Sequence, residues 1–152
     1  MKVTLRTPHA HEIEVLEALC LRSKAYWGYD EDFIARCRPF LRVSPELIEL
    51  GYVRIAEYGG AIAGIAQVSV EGSAELELMF VDPPMMGFGI GEALFRWAAE
   101  TVRQAGARKL YILSDPGARG FYERMGAVHI GEERSEAAPG RTLPHLVLTL
   151  SG

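Results

Sequence analysis

Met86–Gly87–Phe88–Gly89–Ile90–Gly91 separates an alternating run, Ala74–Glu75–Leu76–Glu77–Leu78–Met79–Phe80–Val81, from a run in which Ile90, Leu94, Trp97, Ala98, Thr101 and Val102 recur at helical spacing. Period two gives way to period 3.6 across the loop, so the segment reads as strand, glycine loop, helix. Asp82–Pro83–Pro84 ends the strand, because proline cannot donate to a ladder. Glycines let the main chain approach a ligand closely, and a loop running into a helix N-terminus offers unpaired N–H groups to an anion. The loop lacks the Lys–Ser/Thr pair of a triphosphate-binding P-loop and the Gly-x-Gly-x-x-Gly spacing of a dinucleotide fold. Taken alone it reads equally as an anion site or as a bare turn.

Working outward, residues 52–58 and 61–70 are alternating runs joined by Gly59–Gly60, and Glu71–Gly72–Ser73 leads into 74–81. Turns this short make an antiparallel meander. Further upstream, residues 2–6 alternate like a strand. Thr7–Pro8 reads as a helix start, with Ile13, Leu16, Leu19 and Cys20 following to about residue 23. Asp30 is placed to cap a second helix carrying Phe33, Ile34, Cys37 and Leu41, and Ser44–Pro45 to open a third that stops at Gly51. Downstream, Gly106 ends the long helix. Lys109–Leu113 then reads as a buried strand, parallel to 74–81 because a helix crosses over between them. A short helix at 117–125 and strands at 127–134 and 143–150 complete the order. The fold class is mixed α/β (α+β): a mostly antiparallel twisted sheet with one parallel pair, flanked by helices. Nothing resembles a linker, so one domain over residues 1–152 is expected.

Composition narrows the function. The chain has 152 residues, 49% of them hydrophobic, enough for a core. Its formal net charge of −4 argues against a nucleic-acid partner, since phosphate binding needs a basic surface. No apolar stretch approaches the ~20 residues of a membrane span, and the N-terminus lacks the apolar run of a signal peptide, so a cytoplasmic protein is expected. Cys20 and Cys37 have no metal-ligand spacing and read as buried small hydrophobes. His9 and His11, two apart at a helix start, do not share a face, and His129 and His145 lack convergent partners, so no metal is expected.

A second stretch decides between the loop's two readings: Asp115–Pro116–Gly117–Ala118–Arg119–Gly120–Phe121–Tyr122–Glu123–Arg124–Met125–Gly126. Together the two stretches resemble the GNAT family of N-acetyltransferases. The family's loop reads Gln/Arg-x-x-Gly-x-Gly/Ala, matched at Gly89 and Gly91, and its second motif roughly Asn-x-x-Ala-x-x-Phe-Tyr-Glu-x-x-Gly. Order and separation agree, and the resemblance spans nearly the whole chain. Leu21–Arg22–Ser23–Lys24–Ala25–Tyr26–Trp27–Gly28–Tyr29 and Pro139–Gly140–Arg141–Thr142–Leu143–Pro144 look similar to a bacterial subgroup whose acceptors often have no assignment.

The resemblance implies a fold with a splayed parallel pair, and transfer of an acetyl group from acetyl-coenzyme A to a primary amine of a small molecule or peptide. Coenzyme A would lie between residues 74–81 and 108–113. Its binding residues would be Met79, Phe80, Val81, the loop Met86, Gly87, Phe88, Gly89, Ile90 and Gly91, then Asp115, Ala118, Phe121 and Tyr122. The arm would pair with main chain at Phe80 and Val81, and an N–H near Met79 or Phe80 would polarise the thioester carbonyl. Tyr122 occupies the family's general-acid position; the plainer reading is a packed tyrosine. Glu75 and Glu77, on one strand face by alternation, are candidates for the base, for holding a cationic acceptor, or for a solvated face. Tyr26, Trp27 and Tyr29 would cover the acceptor or simply plug the sheet edge. Arg141 would clamp a carboxylate or phosphate, or sit in solvent. An exposed sheet edge is compatible with a homodimer.

Two positions depart from the family. Met86 stands where Gln or Arg is usual, which keeps an N–H but loses a polar side chain. Asp115 replaces the common Asn, and an ionised carboxylate only accepts hydrogen bonds. These departures support an alternative, a non-catalytic module that binds or senses acyl-coenzyme A.

Overall fold

The computed structural model describes residues 2–151; Met1 and Gly152, the ends of the expected domain, lie outside the described residues. The chain runs β1 (Val3–Arg6), α1 (Ile13–Ala25), α2 (Glu31–Cys37), α3 (Pro45–Leu50), β2 (Val53–Tyr58), β3 (Ala61–Ser69) and β4 (Glu75–Val81). It continues through α4 (Ile90–Gln104), β5 (Lys109–Leu113), α5 (Arg119–Arg124), β6 (Val128–Arg134) and β7 (Thr142–Thr149). The expected caps are present: the Asp30 carboxylate accepts from the Phe33 N–H, the Ser44 hydroxyl from the Leu47 N–H, and Gly51 closes α3 in the left-handed region.

The described strands form one sheet in the order β1-β2-β3-β4-β5-β7-β6, antiparallel except where β4 meets β5. α1, α2 and α3 cover one face, with Leu16, Leu19, Cys20, Phe33 and Cys37 packed on Ile55, Ile65 and Leu78. α4 and α5 cover the other, where Ile90 and Leu94 pack on Ala63 and Ala66, and Phe95 and Ala98 on Leu110 and Ile112. Each large aliphatic side chain sealed in this way contributes about 1.5–3 kcal/mol relative to exposure. α4 can approach the sheet because Gly64 has no side chain; a Cβ there would lie 2.8 Å from the Phe80 carbonyl oxygen and 3.0 Å from Leu94 Cδ1.

Three local expectations need correction. Thr7–Pro8 does not start a helix: a short 3-10 turn covers Ala10–Glu12 and α1 begins at Ile13. Glu12 sets that boundary, accepting the His9 N–H at 2.8 Å while both its oxygens take the Arg6 guanidinium. His9 therefore sits outside the turn in extended geometry, and its ring stacks on that of His11 at 5.4 Å rather than pointing away. In β4 the alternation breaks. Gln67 pairs with Leu78 and the next residue, Val68, with Leu76, leaving Glu77 as an extra, bulged residue. Leu78 consequently packs with α1 and Leu76 with α4, so the two leucines lie on opposite faces.

Candidate active site

β4 and β5 pair in parallel at only two positions, Glu75 with Tyr111 and Leu76 with Ile112, and then diverge. The gap opens into a cleft of about 800 Å³. One wall is Met79, Phe80 and Val81 of β4, the other the start of α5, and the glycine loop closes the α4 end. The Asp82 N–H bonds Ala63 O on β3, so by alternation Phe80 also faces β3. Met79 and Val81 then turn their main-chain N–H and C=O toward the gap, where β5 no longer answers them, so the expectation that Phe80 and Val81 offer the free main chain is corrected to Met79 and Val81.

The loop is shaped to hold an anion. Gly87 and Gly89 adopt φ of +90° and +80°, which L side chains rarely take, and Gly89 is the N-cap of α4. Among the described residues, the N–H groups of Gly87 through Glu92 meet no acceptor. The run of free donors starts at Gly87, not Met86, because the Met86 N–H bonds Pro83 O at 3.2 Å. Six successive free donors beside the positive end of a fifteen-residue helix suit a diphosphate.

Tyr122 is 6% exposed and sits among Phe95 and Phe121, with ring centroids 5.6 and 5.3 Å away. It lines the cleft. Burial, and then the Asp115 carboxylate, push its phenol well above the ordinary tyrosine range, so it keeps its proton. Asp115 also lines the cleft, but its carboxylate is held from behind: Lys24 Nζ at 2.9 Å on one oxygen, the Tyr29 hydroxyl at 2.6 Å on the other. The side chains of Lys24 and Asp115 are 12% and 9% exposed, so this is a buried pair. Where the family's amide would donate into the gap, this chain has a neutralised carboxylate anchoring α1 to the entry of α5.

Of the expected coenzyme-binding residues, Met79, Phe80, Val81, Met86, Gly87, Gly89, Ile90, Gly91, Asp115, Ala118, Phe121 and Tyr122 line the cleft. Phe88 does not; it turns outward, half exposed, its ring 5.2 Å from that of Tyr58. Of the acceptor candidates only Trp27 reaches the cleft. Tyr26 meets Trp27 edge-on in solvent, while Tyr29 and Arg141 lie behind Asp115. Glu75 and Glu77 are exposed and outside the lining; Glu77 accepts from the buried Gln67 amide at 3.0 Å. Ser23, Gly117, Arg96 and Arg124 line the cleft without having been expected. Gly117 and Arg124 fall inside the Asp115–Gly126 stretch and Ser23 inside Leu21–Tyr29, so their neighbourhoods carried the signal, whereas Arg96 stood in neither.

A family model described as the Acetyltransferase (GNAT) family matches residues 14–127. The chain belongs to the GNAT acetyltransferase family. It is an acyltransferase by class, and its fold agrees. It is similar to a GCN5-related N-acetyltransferase from Rhodopseudomonas palustris, at 16% identity and a TM-score of 0.78, covering 99% of this chain and 97% of that one. It is also similar to PaiA N-acetyltransferase from Thermoplasma acidophilum in complex with coenzyme A, at 15% identity and 0.72, covering 98% and 99%. A third is the ribosomal-protein-S18-alanine N-acetyltransferase from Escherichia coli, at 17% and 0.71, covering 99% and 96%. At these identities the likeness concerns the GNAT fold. No curated protein matches the sequence. No helix among the described residues is long and apolar enough to cross a membrane.

Proposed function

We propose that this GNAT member transfers an acetyl group from acetyl-coenzyme A to a primary amine of a small molecule or peptide by direct attack. The supporting observation is the juxtaposition of six free main-chain donors, Gly87 to Glu92, with the bare β4 edge where β5 diverges. Such a site suits a long molecule with a diphosphate at one end and amide groups along its length. When bound, acetyl-coenzyme A supplies an activated acyl carbon. The chain's residues do the rest. The loop N–H groups hold the diphosphate. Main-chain groups of Met79 and Val81 orient the arm as an added strand would, and an N–H there faces the developing oxyanion. Tyr122 Oη, protonated and facing the cleft, serves as general acid. Glu75 and Glu77 stand outside the cleft, so in this reading any part they take in deprotonating the amine runs through solvent.

Release of free thiol from acetyl-coenzyme A, measured across polyamines, aminoglycosides, amino acids and peptide N-termini, tests the reading. Turnover with at least one amine is expected. Calorimetric binding of coenzyme A with no turnover across that panel would replace it with the non-catalytic module.

A further inference from the structure

Behind Asp115 lies a group of side chains that acyl transfer itself leaves unused. Ala138–Pro139–Gly140–Arg141, between β6 and β7, is a tight turn: the Arg141 N–H bonds Ala138 O at 3.1 Å and Gly140 has φ +88°. Proline second and a left-handed glycine third is the type II pattern. The turn is docked, with Ala138 buried against α2 and the Ala137 carbonyl accepting from Arg36 Nε at 3.1 Å. It delivers Arg141 to a defined place. The guanidinium carbon lies 4.6 Å from the ring centroids of both Tyr29 and Phe33. Nη2 donates to the Tyr29 hydroxyl at 3.2 Å, and that hydroxyl donates to Asp115 in the cleft wall at 2.6 Å.

The charges do not balance. Among the described residues no carboxylate lies within 4 Å of Arg141. Asp115, the one carboxylate of the group, is already matched by Lys24, and Arg36 adds a further cation beside Phe33. A half-buried guanidinium stacked on two rings has lost rotamer freedom and part of its hydration, yet among the described residues Nε and Nη1 meet no acceptor. Such a planar fork matches a carboxylate's two oxygens.

We infer that Arg141, positioned by Tyr29 and Phe33, receives a carboxylate of the acyl acceptor, so that the preferred acceptor is an amine that also carries a carboxylate. The inference rests on the acetyltransferase reading above. Arg141 lies behind Asp115 and outside the cleft, so the acceptor's carboxylate would approach from that side of the wall, and Lys24 is assigned to neutralising the Asp115 carboxylate that stands between.

Matched acceptors test it: phenylalanine against phenethylamine, tryptophan against tryptamine, lysine against cadaverine, with phosphoethanolamine as the phosphate arm. The carboxylated member of at least one pair should show a kcat/KM about 10- to 100-fold higher, the scale of a charge-assisted bidentate contact. Arg141→Met should collapse that ratio by raising KM for the carboxylated member, and Arg141→Lys should restore part of it. Equal kcat/KM within every pair, or a preference unmoved in Arg141→Met, overturns the assignment while leaving acyl transfer standing. A preference for phosphoethanolamine over every amino acid overturns the carboxylate. Absence of both coenzyme A binding and turnover sinks the acetyltransferase reading itself.

Discussion

Gly117 lies flat against the indole of Trp27: a Cβ on Gly117 would stand 2.8 Å from Trp27 Cε3 and 2.9 Å from Cζ3. Both residues line the cleft, one from the entry to α5 and the other from just beyond α1. The indole is 43% exposed and can rotate away. Gly117→Ala is therefore expected to cost less than about 1 kcal/mol of stability while displacing Trp27. In a Trp97→Phe background the remaining tryptophan emission should shift, and KM for the acceptor should rise more than KM for acetyl-coenzyme A. An unmoved emission spectrum would show that the two residues do not press on one another in solution.

Tyr122→Phe removes a hydroxyl and little packing, because the ring contacts to Phe95 and Phe121 remain. The expected loss in kcat is about 100-fold or more, the lower range of general-acid contributions, with coenzyme A affinity within a factor of about three. Turnover equal to that of the unmodified protein removes the acid role from Tyr122.

Gly89→Asp places a side chain and a negative charge at the N-cap of α4, where φ is +80° and the free donors converge. Calorimetry should show coenzyme A binding lost. If binding persists, the loop is not what holds the diphosphate.

Gly64→Ala is expected to be more destabilising than Gly117→Ala or Tyr122→Phe. The nearest obstacle is the Phe80 carbonyl at 2.8 Å, main chain that cannot swing aside. Overpacking of this kind costs about 1–3 kcal/mol, which for a chain of this size lowers Tm by about 2–12 °C. An unchanged Tm would mean that α4 can ride outward from the sheet at no cost.

Stability should also fall at alkaline pH. Burial raises the Cys20 thiol from 9.0 to about 12. A group raised on folding contributes fully below its unfolded value and is lost as pH climbs through the folded one. The window is therefore pH 9 to 12, and Tyr122 adds the same sign from pH 10 upward. Between pH 8 and 10.5 the Cys20 share is about 1–2 kcal/mol. Urea midpoints across that interval should fall less steeply in Cys20→Ala. Parallel curves for the two proteins would exclude the thiol as a cause.

Where a structural decision is local, residues alone reveal it. Asp30, Ser44–Pro45 and Gly51 place α2 and α3 through single hydrogen bonds or one backbone angle, and the glycine loop announces α4. Distance defeats the same reasoning. The β4 bulge at Glu77 carries no glycine and reads as clean alternation, because it depends on how Gln67 and Val68 line up from the neighbouring strand. Phe95 falls off the apolar stripe expected for α4, yet is 1% exposed, since α5 covers a second side of the helix. Thr7–Pro8 misleads because Glu12 overrides it. In the site, the contiguous loop and the Asp115–Gly126 stretch were readable. The hydrogen bonds that gather Lys24, Tyr29 and Arg141 around Asp115 join partners up to 112 residues apart, and no spacing rule reports them.

The two-residue seam between β4 and β5 carries a consequence for how this molecule tolerates change. A seam that short cannot govern the gauge of the opening farther along. That falls to Phe95, edge-on to Phe121 and tilted against Tyr122, which sits like a shim between the helix spanning both halves of the sheet and the one forming the opposite jaw. The aperture therefore depends on that one α4 ring as well as on the β4 residues that face it across the gap.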